Sequence, residues 1–159
     1  MKPGGDDTGH AGTRVRVMDT SSVTRVSIWV IARDEADVHK WIESVHNNRD
    51  MGVEAIRDWY MKHFRKFVRG KLMDHIKGKC LIEEFNESAF NILQVFEFKC
   101  PIVREKLETG LRDGCQNLEI VVNAVAENED VEEIVEFLEV VDMNRCHDLN
   151  PPIDVLAEV

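Results

Sequence analysis

Six histidines, four cysteines and thirty carboxylates are the chemically capable groups of this 159-residue chain. A zinc site needs Cys or His ligands at close spacing, such as two cysteines separated by two to four residues. Cys100 and Cys115 follow Cys80 by 20 and 35 residues, and Cys146-His147 is a bare adjacent pair. That spacing holds no metal, and the thiols read as free, in a reducing compartment. No G-x-S-x-G, H-E-x-x-H or Gly-rich phosphate loop occurs; Gly4-Gly5 is not set between a strand and a helix. Acidic pairs are abundant at Glu83-Glu84, Glu129-Asp130 and Glu132-Glu133. A catalytic pair needs a cleft that drives two pKa values apart, and these fall on polar helix faces. The expectation is a protein that is not an enzyme and uses no cofactor and no metal.

Charge is segregated along the chain. Residues 49–81 sum to +5 and residues 82–159 to −14, within a total of −10. The acidic half counts against direct nucleic-acid binding and suits a basic partner. No stretch approaches the roughly 20 apolar residues of a membrane span, and the N-terminal residues lack the apolar core of a secretory signal.

Helical spacing dominates the pattern. Residues 1–13, rich in Gly and Asp, read as a disordered tail, and 14–159 as one helical domain. Val15 and Val17 alternate with arginines as in a strand. Val38, Trp41, Ile42 and Val45 define an inward helical row. The row Val53, Ile56, Tyr60, Phe64, Phe67/Val68, Leu72 and Ile76 is the clearest helix, with Gly70 as a candidate break and Gly78 as a candidate C-cap. Its Lys/Arg face is expected to meet the acidic half of the chain; an anionic membrane or nucleic acid is the alternative. Residues 87–98 read as a buried helix. Pro101 opens another, with Ile102, Val103 and Leu107 inward and an end near Gly110 or Gly114. Residues 116–126 are apolar enough to be buried, and 130–141 carry a core row.

Three windows share an order of short helix, polar turn and second helix: residues 27–45, 79–102 and 117–144. In Ala32-Arg33-Asp34 with Val38-His39-Lys40-Trp41-Ile42, and in Asn128-Glu129-Asp130-Val131 with Ile134-Val135-Glu136-Phe137-Leu138, the chain resembles ankyrin repeats. Asp142-Met143-Asn144 and Pro152-Ile153-Asp154-Val155-Leu156-Ala157 stand where the family has its "ADVN" and "TPLDVLA" segments. The T-P-L-H signature is absent, and no Gly follows Gly114. In size and style the chain is similar to the short IκB-like (vankyrin-type) ankyrin proteins of insect-parasitoid viruses. Residues 86–111 and 132–149 also resemble the helix pairs that follow BTB domains, which would imply a scaffold or oligomerisation domain.

The fold expected is all-α, a short helical repeat array of ankyrin-like solenoid type. The resemblance implies a protein–protein interaction module, an inhibitor of a Rel/NF-κB-type transcription factor in the cytoplasm or nucleus of a host cell. Glu129, Asp130, Glu133, Asp142 and Asp148 are the expected partner-binding residues, steering a basic surface before apolar contacts close. Asp7-Thr8-Gly9 resembles the start of the family's phosphorylated degron.

Overall fold

The computed structural model describes residues 18–152. The expected tail, the Val15/Val17 alternation, the Asp7-Thr8-Gly9 segment and residues 153–157 lie outside the described residues.

A two-residue strand β1 (Arg25–Val26) leads into α1 (Ile28–Asn47). Ser27 caps that helix, its Oγ accepting from the Trp29 N–H at 3.3 Å. Glu84 adds a carboxylate at the same end, accepting from the Ile28 N–H at 2.8 Å and the Ser27 hydroxyl at 2.5 Å. The turn expected inside residues 27–45 is absent. Ala32-Arg33-Asp34-Glu35-Ala36 contains no Gly or Pro, so one helix runs unbroken for 20 residues to a left-handed cap at Asn48. The row expected inward is also reversed. Ile28, Ala32 and Ala36 are buried, whereas Val38, Trp41 and Val45 are 53%, 67% and 53% exposed. A helix packed along one side buries one row, and the alanine row lets α2 (Gly52–Lys62) approach closely.

The helix after it is interrupted at His63, not at Gly70: α3 spans Phe64–Ile76, with Gly70 inside it and open space where a Cβ would stand. The interruption turns Phe64 inward, where it stacks on Trp29 with centroids 5.6 Å apart and meets Tyr60 at 5.4 Å. Phe64, Val68, Leu72 and Ile76 then form the buried row the spacing predicts. Gly78, at φ +75°, follows the end of α3, and a Cβ there would strike the Asn91 side chain at 2.4 Å.

β2 (Leu81–Ile82) pairs in parallel with β1, Arg25 opposite Leu81 and Val26 opposite Ile82. The continuous helix expected over 87–98 does not form. Asn86 accepts from the Ser88 N–H at 3.2 Å and opens a 3-10 turn at Glu87–Ala89. Asn91 is left-handed at φ 60°, a conformation Asn tolerates better than most residues. Only the short α4 (Ile92–Val95) follows. α5 (Pro101–Asp113) begins at its proline, as the sequence predicts, and ends on Gly114 at φ +84°, the second of the two glycines the sequence offers. α6 (Asn117–Ala126) and α7 (Val131–Val141) form a hairpin, and α8 (Met143–Asp148) follows directly.

The chain is therefore mostly helical, with one buried cluster running from Ile28 to Met143. α3 lies at its centre, touching α1, α2, α5, α8 and β2. The three windows fold differently: one long helix, a strand and broken turns leading to α5, and a helix hairpin. Among the described residues, no helix is long and apolar enough to cross a membrane.

Candidate interaction site

The junction that fixes the two halves is built on His75. Its ring is fully buried on α3, with Nδ1 accepting from the Ile82 N–H at 3.0 Å and Nε2 donating to the Asn86 carbonyl at 2.9 Å. Those bonds require the neutral tautomer protonated on Nε2. Burial holds its pKa below the ordinary 6.5, against the backbone of Asn86 and Cys80, which favours the charged form. Phe85 and Phe90 pack edge-on against the ring. Asn86 then donates to the Val140 carbonyl at 2.7 Å, tying this turn to the end of α7.

From that anchor α5, α6 and α7 enclose a groove of about 450 Å³. Leu107 of α5, Ile120 and Ala124 of α6 and Ile134 of α7 make its apolar floor. Gly110 keeps it open: a Cβ there would come within 3.3 Å of the Ile120 side chain. Glu105, Glu127 and Glu129 stand on the rim. Lys106 is held between Glu127 and Glu129, which raise its pKa, while Lys106 lowers that of Glu127. The clamp fixes the α6–α7 turn, where Asn128 is left-handed, against α5. Ile102, at the edge of the groove, is 59% exposed, and on the other side of α6 Leu118, Val122 and Val125 are 73%, 55% and 57% exposed.

The five expected partner residues fall into different roles. Glu129 is on the groove rim, bound to Lys106. Asp130 caps α7, accepting from the Glu133 N–H at 3.2 Å, and pairs with Lys99 at 2.5 Å. Glu133 is fully buried and accepts from the Lys99 N–H at 2.7 Å. A carboxylate enclosed in this way presents no surface to a second protein, which corrects the sequence assignment: Glu133 joins α7 to the approach of α5. Asp142 is the left-handed residue between α7 and α8, and Asp148 is exposed at the end of α8. The structure thus brings Glu129, Asp130 and Glu133 together along one turn and leaves Asp142 and Asp148 away from it.

Sequence reasoning missed the open apolar face. It took residues 116–126 as buried and Ile102 as inward; in the structure Ile120 and Ala124 are buried and Leu118, Val122 and Val125 face out. A helix apolar on most sides gives no rotational preference. The polar neighbours Glu119 and Asn123 are the one available signal, and they flank the outward row.

Other chemistry is sparse. Among the described residues no cluster of three or more His, Cys, Asp or Glu is placed to hold a metal. The four cysteines are free and half-buried; burial pushes the Cys146 thiol up to about 12, far from the reactive thiolate. Compared with protein-family models, curated proteins and solved structures, the chain matches none.

Proposed function

We propose that the chain is a protein–protein interaction module and that the α5–α6–α7 groove receives a basic amphipathic segment of a partner. The observation that carries this reading is an apolar floor with a carboxylate rim, opened to solvent at its edge by Ile102. Exposed apolar surface of this kind marks a binding face more often than an accident of folding. Glu105 and Glu127 steer a cationic segment, and the floor takes its apolar side chains.

The α6–α7 hairpin supports an ankyrin-like relationship: helices of 10 and 11 residues joined by a short polar turn. On that reading the first partner to test is a Rel-type transcription factor, whose basic DNA-binding or nuclear-localisation surface the groove masks. The chain then acts without catalysis, in the cytoplasm or nucleus of a host cell.

The test is competition. The chain is titrated into a Rel-type factor bound to its DNA site, with Ile102→Asp as the variant. Displacement of the DNA by the native chain, weakened by about 10-fold or more in the variant, is the expected result. Equal displacement by both proteins, or none by either, sinks the assignment of this groove to that partner. Ile102 lines the groove and is 59% exposed, so its substitution leaves the fold intact.

A further inference from the structure

A second concavity lies between α3 and α8, away from the acidic groove. It is a hollow of about 60 Å³ with Phe64, Val68 and Met143 as its floor and Arg65, Arg69 and His147 at its mouth. No carboxylate lines it. In a chain with 30 acids against 20 bases, that is a selective absence. Four other hollows among the described residues each carry at least one Asp or Glu. Several cations elsewhere are neutralised: Lys62 by Asp58 at 2.5 Å, Lys77 by Glu108 at 2.6 Å, Lys99 by Asp130 at 2.5 Å. Among the described residues no carboxylate comes within 4.0 Å of the cationic nitrogens of Arg65 or Arg69.

The mouth is also prearranged. Arg69 lies flat against Gly114, where a Cβ would come within 2.2 Å of its Cζ, and its Nη1 donates to the Asp113 carbonyl at 3.4 Å. Gly114 is required there twice over, by its φ of +84° and by this contact. Arg65 stands one helical turn before Arg69, so both guanidinium groups project on the same side of α3. His147 faces them from α8.

We propose that this hollow binds a phosphate monoester. Two guanidinium forks supply planar paired donors, and the imidazole adds a third direction. Such a set matches an anion with three acceptor oxygens and a charge of roughly −1.5 to −2. The volume holds a head group of about two water molecules' size and little more. The chain's net charge of −10 repels such a ligand at long range, so binding rests on these three side chains and not on steering.

Glycerol 3-phosphate supplies the free monoester, and phosphatidic acid in phosphatidylcholine vesicles supplies the lipid-borne one. Binding is read by phosphorus NMR line broadening for the first and by co-sedimentation for the second. Arg65→Glu and His147→Ala are the test variants; Lys79→Glu, which makes the same charge change as Arg65→Glu at an exposed position outside the hollow, is the control. Binding of either probe, weakened on the order of 10-fold by Arg65→Glu and by His147→Ala but not by Lys79→Glu, is the expected result. Binding of the soluble probe identifies a free monoester as ligand, and binding of vesicles alone identifies a lipid. The proposal is overturned if neither probe binds. It is equally overturned if Lys79→Glu weakens binding as much as Arg65→Glu, because net charge would then account for it.

Discussion

His75 shows how one side chain sets a condition on the whole fold. Both its nitrogens are committed to backbone groups of other turns, the Ile82 N–H and the Asn86 carbonyl. Protonation at Nδ1 destroys the acceptor that Ile82 uses. Because burial lowers its pKa in the folded chain, the unfolded chain binds the proton more readily. The stabilising contribution of neutral His75 is therefore fully present above the ordinary value of 6.5 and declines as pH falls below it. In urea unfolding at pH 7.5 and pH 5.5, the native chain loses more stability between the two than a His75→Gln variant does. Equal losses in both proteins would remove His75 as the source. The residue was visible in the sequence as one of six histidines, yet nothing in its spacing marked it as the buried one.

At the scale of elements, the chain follows its local signals where they are strong. Pro101 and Gly114 bound α5 as their backbone preferences require, and the Phe64–Ile76 row is buried as its period dictates. Gly70 is different: its low helix propensity does not end α3, because packing on both sides of it outweighs a cost of about 1 kcal/mol. With space for a methyl group at that position, Gly70→Ala raises stability by about 0.5–1 kcal/mol in chemical denaturation. A loss of stability would show that the helix is strained there. The choice of buried row on α1 was not legible. Its alanine row and its Val38–Trp41–Val45 row are both apolar enough, and only the approach of α2 selects between them.

Across the whole molecule, one core links the elements through aromatic side chains. Phe137 of α7 is fully buried and meets Phe96 at 5.3 Å and Phe98 at 5.4 Å, so it joins the hairpin to the irregular turns before α5. Phe137→Ala is expected to cost about 3–5 kcal/mol and to leave a single unfolding transition, followed by both circular dichroism and tryptophan fluorescence. The three tryptophans report on α1 and α2, far along the chain from Phe137. Two separated transitions would divide the chain into independent units. The charge pattern also belongs to this scale. The basic face of α3 meets the acidic half only in part, through Lys77 with Glu108 and Arg69 with the Asp113 carbonyl, and leaves Arg65 and Lys66 exposed.

The sequence by itself determined that the chain would be mostly helical, that α5 would open at Pro101 and that it would close at one of two glycines. Those properties follow from backbone preferences, which act over a few residues. It did not determine which carboxylates were available. Glu129, Asp130 and Glu133 look alike in sequence, yet one lines a groove, one caps a helix and one is enclosed. Tertiary structure alone decided that, because Lys99 and Lys106 reach the three acids from α5 and the residues just before it, 23 to 34 positions away. The same long-range packing decided which face of α6 stayed open, since an almost uniformly apolar helix contains no instruction about which side to bury.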